Sequence, residues 1–437
     1  MSKQLPSEQI KLKQTLSLFD AVSIGLGAII GAGIFVAVGI AAGLAGPGLL
    51  VSVLLAGIIA SFTAFSFAEL GSVIQKDGGV YEYVFQTVSP FFGFITGWLW
   101  IAGQVIGGAA VSLGLAAYLN VFIPLNVNLI AALASLFFMF LNFIGTKQSS
   151  TVNNILVVIK VLILCIFVLI TIFYVQPSNF SQMFPNGFSG IIAGTGIIFF
   201  AYLGFGRVAT VGEEVKNPEK NIPLSILLAL GISAVLYFLV SYTAIGTIGY
   251  IGLSHSASPL ADAITITGNS FAVWLISIGG IVAAASVLIT TILGASRVVF
   301  AMARNKQLPE FIAAVHPTFE TPYVSIIIMG LLMALAAFIG DLKQTLSLAS
   351  FSLILSHMLV NYAALKLDKN KQKFKAPFRP IPQLLGIISC GILTISLLQD
   401  IWAMAFGVLL AGIVFYYFEK LCKVENLQGT KKKIMLI

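Results

Sequence analysis

Charge is what this chain has least of. Asp, Glu, Lys and Arg make up 9% of its 437 residues, against about 25% in a soluble domain. With 58% of the chain hydrophobic, a water-soluble globule would expose apolar surface everywhere and aggregate. Cysteine and histidine are equally scarce, at three each. The cysteines, Cys165, Cys390 and Cys422, have no metal-like spacing and imply no disulfide framework. The histidines, His255, His316 and His357, are scattered. A membrane enzyme would need clustered His, Asp, Glu or Cys inside the bilayer, and the chain has no such set. No metal or cofactor site is expected, and no enzymatic activity. Sustained apolar/polar alternation is missing too, which excludes a strand barrel.

What is present is long apolar runs, each of about 20 residues, recurring down the chain, which is the mark of membrane-spanning helices. Run length places about twelve of them. Spans 1 to 5 are Leu18–Leu44, Leu49–Gln75, Phe91–Phe122, Asn126–Gly145 and Val152–Val175. Spans 6 to 10 are Gly190–Val211, Pro223–Tyr250, Ser270–Ala303, Val324–Gly340 and Thr345–Leu365. Spans 11 and 12 are Leu384–Leu398 and Ile401–Glu419. The first run is too long for the apolar stretch of a signal peptide, so it is read as a retained span.

Basic residues set the expected orientation. With a cytoplasmic N-terminus, the inner loops hold Lys76, Lys147, Lys216, Lys220, Arg304, Lys306, the Lys366–Arg379 cluster and the tail from Lys420 to Lys433. The outer loops hold only Lys343. That asymmetry is the positive-inside pattern, so both termini are expected in the cytoplasm, and the plasma membrane is the expected location. It also accounts for the formal net charge of +8 through anionic lipid headgroups, with no nucleic-acid partner. The basic segment 366–383 is expected to separate a ten-span core (18–365) from two peripheral spans (384–419). Segments 1–17 and 420–437 are read as cytoplasmic.

Glycine, by contrast, is abundant where it is least expected. Span 1 carries "GAIIGAGIF" (Gly27–Phe35) and span 6 carries "FFAYLGFG" (Phe199–Gly206). Close helix packing is one reading of such glycines. The other follows from their position. Spans 1 and 6 open two successive sets of five, 18–175 and 190–365. Glycine interruptions at matching places in two halves point to a transporter site built on broken helices. Unwound backbone at that depth is tolerated only where it lines a cavity. Freed N–H groups attract a carboxylate and freed carbonyls an ammonium. An α-amino acid zwitterion offers both.

Four motifs carry a resemblance. They are "IIGAGIF" (Ile29–Phe35), "FAELGSVIQKDGGVYEYVFQTVSPFFGFITGW" (Phe67–Trp98), "FFAYLGF…EEVKNPEKNIP" (Phe199–Pro223) and "SRVVFAMARNKQLP" (Ser296–Pro309). In this order they resemble the amino acid–polyamine–organocation (APC) superfamily of permeases, over most of residues 15 to 365. The resemblance implies an all-α integral membrane protein of leucine-transporter-type fold, with a five-plus-five inverted repeat and two added C-terminal helices. It implies a substrate site between spans 1, 3, 6 and 8. That site would run along Ile29, Ile30, Gly31, Ala32 and Gly33, and along Phe199, Phe200, Ala201, Leu203, Gly204 and Phe205. The carboxylate would meet N–H groups at Gly31, Ala32 and Gly33; the ammonium would meet carbonyls near Ile29, Phe200 and Leu203. Phe200 and Phe205 would wall the pocket or gate it. Gln104, Gly108 and Ile289 are further liners to expect. Where relatives with cationic substrates carry an acid after "GF", this chain has Gly206, which favours neutral amino acids. Gln75 stands where a proline is usual.

Lys160 lies about eight residues into span 5, about 12 Å deep. An intramembrane ionisable residue is a functional candidate; the competing reading is snorkelling toward the headgroups. The resemblance favours the first. Some proton-coupled members have a lysine at the matching place, where sodium-coupled relatives bind Na⁺. Its ammonium would meet span 1 carbonyls and Ser286. Glu69 and Arg297 could pair as an inner gate, although charges at a membrane edge are common. His357 is read as packed in the bundle or as part of a proton path. Asp20 could cap span 1. Arg207 faces either the substrate route or the inner bundle. The expected function is proton-coupled, sodium-independent amino acid uptake. An uncoupled exchanger and a non-transporting sensor on the same fold stay open. A channel would show a repeated filter or rings of charge, and neither is present.

Overall fold

The computed structural model describes residues 16–31, 33–74, 78–144, 150–319, 321–368, 370 and 373–434. Among them the chain is helical, with a one-residue parallel bridge, Leu16 to Val215, and no strand. Among the described residues, nine helical stretches are long and apolar enough to cross a membrane. One of these, Leu18–Gly71, contains spans 1 and 2. Two shorter apolar helices, Val127–Phe143 and Tyr323–Ile339, are spans 4 and 9. Twelve spans result, as expected.

Local chemistry sets the ends. Span 1 begins at Leu18 behind a capping box: Asp20 N–H donates to Ser17 Oγ, and the Ser17 N–H donates to Asp20 Oδ2 at 2.8 Å. Ser17 is thus the cap and Asp20 its reciprocal partner. The other carboxylate oxygen of Asp20 accepts from Asn154 Nδ2 of span 5 at 2.7 Å. Ser89 caps span 3, with Pro90 at the first helical position, where a missing N–H costs nothing.

Residues Ile381–Ile434 are assigned to one continuous helix, yet they do not form one rod. Gln383 bonds to Glu69, and the Tyr416 ring meets Phe91 edge to face. Glu69 and Phe91 lie at the ends of spans 2 and 3 that the short helix Val80–Thr87 connects. A straight helix would hold Gln383 and Tyr416 about 50 Å apart. The chain therefore doubles back near residue 400, giving spans 11 and 12.

The packing repeats itself under an exchange of spans 1–5 with 6–10. Span 1 packs on span 7, and span 6 on span 2. Span 1 also packs on span 5, and span 6 on span 10. Span 5 meets span 8, as span 10 meets span 3. Spans 3 and 8 face each other across the pseudo-axis, as do spans 4 and 9. A unit with an odd number of spans starts its copy from the opposite face. The repeat is therefore inverted.

Candidate functional site

Span 1 is α-helical from Leu18 to Ile29. Ile30 is extended (φ −76°, ψ 100°), and helix resumes as a π turn at Gly33–Ala37 before Val38–Ala45. The first N–H groups of the resumed helix have no turn behind them. Span 6 departs from expectation. It does not open into an unwound gap. It is α-helical over Gly187–Tyr202 and then a 3₁₀-helix over Leu203–Glu214. Runs of 3₁₀ beyond three or four residues are uncommon and mark hinges or strain.

The two irregular segments touch through their backbones. A Cβ built on Gly204 would stand 2.2 Å from the Ala28 carbonyl carbon, and one on Gly33 would stand 2.6 Å from Ala201 Cα. The glycines thus serve close packing as well as the break in span 1. Close packing accounts for the glycines of both spans, and a break accompanies them in span 1 alone.

The carbonyls around the break are taken up by side chains from two other spans. Lys160 is 1% exposed, and its Nζ donates to Gly27 O and Ile30 O, each at 3.1 Å. It does not snorkel. Tyr237 of span 7, fully buried, places its hydroxyl 2.8 Å from Ile29 O and 3.2 Å from Ala201 O. One hydroxyl from span 7 therefore ties both broken spans.

A small cavity of about 40 Å³ lies beside the break. Span 1 lines it with Ala28, Ile29, Gly31 and Gly33; span 6 contributes Phe200, Ala201, Leu203, Gly204 and Arg207. Span 3 adds Gly103, Gln104, Gly107 and Val111, span 8 adds Val287 and Thr291, and span 10 adds Leu353. Of the expected site residues, Ile29, Gly31, Gly33, Phe200, Ala201, Leu203 and Gly204 come together here. Ala32 lies outside the described residues.

Several expectations are corrected. Ile30 meets Lys160 and is not among the liners. Phe199 and Phe205 are fully buried behind the wall, around His357, with ring centroids 6.4 and 5.8 Å from it. Helical rotation of about 100° per residue turns Phe199 away from the face that Phe200 presents. The Ile29 carbonyl is engaged by Tyr237, and the Phe200 carbonyl accepts from the Leu203 N–H. Ser286 turns back to the Ala283 carbonyl of its own helix at 2.9 Å and makes no bond to Lys160. Gly108 and Ile289 do not line the cavity; Met333 packs against Gly108.

Glu69 is fully buried, but its partners are not Arg297. It accepts from Ala376 N–H at 2.9 Å and from Gln383 Nε2 at 2.8 Å, and Arg379 Nε is 3.5 Å away. The segment after span 10 folds back over the end of span 2 and takes the place assigned to Arg297. His357 packs among Phe67, Trp100, Phe199 and Phe205, with Nδ1 2.6 Å from the Leu353 carbonyl.

Two residues deserved more weight on sequence alone. Tyr237 is a hydroxyl deep in an apolar run, and such a group needs a partner inside the bilayer. Arg207 bonds through its guanidinium to Thr290 Oγ1 and, at 2.6 Å, to Thr291 Oγ1. Adjacent threonines at the matching depth of span 8 were its signal.

A family profile described as "Amino acid permease" matches residues 16–415. The chain is similar to the methylthioribose transporter of Bacillus subtilis, 35% identical over 407 residues, covering 88% of both chains. It is similar to the branched-chain amino acid permease BcaP of Bacillus subtilis, 31% identical over 436 residues and 94% of both chains. The vacuolar cationic amino acid transporter 4 of Arabidopsis thaliana is 31% identical over 385 residues, 82% of this chain and 64% of that one.

Proposed function

Because the chain belongs to the amino acid permease family, we propose that it takes up amino acids across the cell membrane as a proton-coupled, sodium-independent secondary transporter working by alternating access. The observation that carries this reading is the pair of bonds from Lys160 Nζ to Gly27 O and Ile30 O. A lysine can hold or give up one proton. Held, the proton keeps a cation on the carbonyls that close the first half of span 1, where it needs no bound metal. Given up, the cation is lost and the hold of span 5 on span 1 weakens. Protonation is thereby linked to the position of a half-helix that lines the cavity.

The substrate carboxylate would sit at the start of the resumed helix, near Gly31 and Gly33, where helix N-termini favour anions. The side chain would face Phe200, Val111, Val287 and Leu353. The liners include no carboxylate, and Gly206 supplies none, so neutral amino acids are favoured over cationic ones. Spans 1 to 10 would carry transport. Spans 11 and 12 would pack at the periphery, and both termini would lie in the cytoplasm.

Two experiments test this. A thermal-shift screen of all twenty amino acids on purified protein should give stabilisation by neutral ones, through mass action. In proteoliposomes, an inward proton gradient should drive accumulation equally well in sodium and in choline. Counterflow without accumulation would identify an uncoupled exchanger, and binding without counterflow a sensor.

A further inference from the structure

Among the described residues, three polar side chains stand in the lining of the cavity: Gln104, Arg207 and Thr291. Arg207 and Thr291 bond to each other. Gln104 is 8% exposed, and its amide has no hydrogen-bond partner among the described residues. Yet neither the oxygen nor the nitrogen is sealed away with the buried unpaired polar atoms. The amide therefore keeps accessible surface, and that surface opens on the cavity it lines. The other buried amides of the bundle behave differently. Asn142, Asn361 and Gln383 each donate to a protein oxygen: Phe138 O, Thr63 Oγ1 and Glu69 Oε2. Buried amides are bonded as a rule, so an unbonded one at a cavity wall points to an occupant.

Its position selects the part of the occupant that it meets. Gly103, Gln104, Gly107 and Val111 share one face of span 3. A Cβ on Gly103 would stand 2.5 Å from Leu353 Cγ, and one on Gly107 would stand 2.9 Å from Phe200 Cε2. The amide thus interrupts the apolar wall of Val111, Phe200 and Leu353, which is proposed above to face the substrate side chain. Carbonyls at the break in span 1 are served instead by Lys160 and Tyr237. An amide offers donors and an acceptor, and a hydroxyl can play either part, so the two match whichever way the amide is turned. The cavity is small, about 40 Å³, which suits a hydroxyl on a short side chain. An apolar side chain of the same shape would strip water from the amide and leave it unpaired, and such a site rejects the analogue that lacks the polar group. We infer that Gln104 reads a side-chain hydroxyl, so that serine and threonine are preferred over alanine and valine. This inference rests on the transport reading above and names a substrate class within it.

Threonine and valine provide the test, because they match in shape and differ by a hydroxyl in place of a methyl. Thermal shift on the purified protein and counterflow in proteoliposomes are run with L-threonine, L-valine, L-serine and L-alanine. The wild type should bind threonine at least about tenfold more tightly than valine, and serine more tightly than alanine. Gln104→Met keeps the length of the side chain and removes its polar atoms. Threonine should then weaken while valine tightens, so that the preference vanishes or reverses; a pocket that is merely damaged would not tighten valine. If the wild type binds valine as well as threonine, the inference fails and the transport reading stands. If threonine and valine lose affinity equally in Gln104→Met, the amide meets a part common to all amino acids or only braces the helices, and the inference again fails. If none of the twenty amino acids binds the wild type, the transport reading itself falls. Should Gln104→Met not fold, Gln104→Asn carries the test: it draws the amide back by one methylene and should shrink the preference for threonine, and an unchanged preference overturns the inference.

Discussion

Gly204→Ala is the sharpest probe of the contact between the two irregular helices. The new Cβ would stand 2.2 Å from the carbonyl carbon of Ala28, 2.3 Å from its oxygen and 2.4 Å from the nitrogen of Ile29. All three are backbone atoms, so no rotamer change relieves the clash. Ordinary contact begins at 3.4 Å, so spans 1 and 6 must part by about 1.2 Å. The bond from Tyr237 to Ile29 O, now 2.8 Å, would stretch to about 4 Å and be lost. Overpacking of this kind costs about 1–3 kcal/mol and the hydrogen bond about 1 kcal/mol. Alanine's better helix propensity returns less than about 1 kcal/mol. The net effect is a loss of about 1–4 kcal/mol, with displacement of cavity-lining atoms. Thermal unfolding in detergent and counterflow in proteoliposomes measure the two consequences. Gly231→Ala is the control: it lies in a helix, exposed, with nothing within 4 Å of the added Cβ. That change should stabilise by about 0.5–1 kcal/mol. If Gly204→Ala unfolds and transports as Gly231→Ala does, the two backbones are not in contact and the account of the site is wrong.

Lys160→Ala should abolish accumulation driven by a proton gradient while counterflow continues; a gradient of one pH unit is worth about 1.4 kcal/mol, or tenfold accumulation for one proton per substrate. Undiminished pH-driven uptake in that variant would remove the lysine from the mechanism. Tyr237→Phe leaves two buried carbonyls short of a donor and should cost about 1–3 kcal/mol, with a raised KM for uptake; an unchanged KM would show that the hydroxyl does not set the shape of the break. Glu69→Ala strips two donors, Ala376 N–H and Gln383 Nε2, of their acceptor and removes the carboxylate 3.5 Å from Arg379, so it should destabilise by about 3–5 kcal/mol, read as a lowered thermal midpoint, whereas Arg297→Ala should change it little.

The number of spans and the inverted repeat were legible because membrane helices announce themselves by run length, and a five-span unit has only one way to repeat. The broken span was legible for a related reason: Gly31 and Gly33 at mid-depth have few explanations. Which residues point into the cavity was less so. Phe199 and Phe200 are neighbours with the same chemistry, and only the phase of the helix separates liner from backing. Side-chain partners over long sequence distance were hidden altogether. Glu69 meets Gln383 across 314 positions, and a local sequence reading could match its charge with Arg297 as readily as with Arg379. Tyr237 was hidden differently. Its hydroxyl had to bond to something, but its partners are main-chain oxygens, which carry no signature in the sequence.

The winding of span 6 has a mechanical consequence. Its twelve residues from Leu203 to Glu214 follow a 3₁₀ path, which rises about 2.0 Å per residue, against about 1.5 Å in the ordinary helix. The segment thus holds about 6 Å of surplus length. Rewinding it as an α-helix, wider and with fewer turns, would draw its far end inward by that distance, while its backbone donors pass from acceptors three residues back to acceptors four residues back. A stroke of that size needs neither melting nor a loop to slide, and the anchor from which it would be measured is the point where Gly204 rests on Ala28.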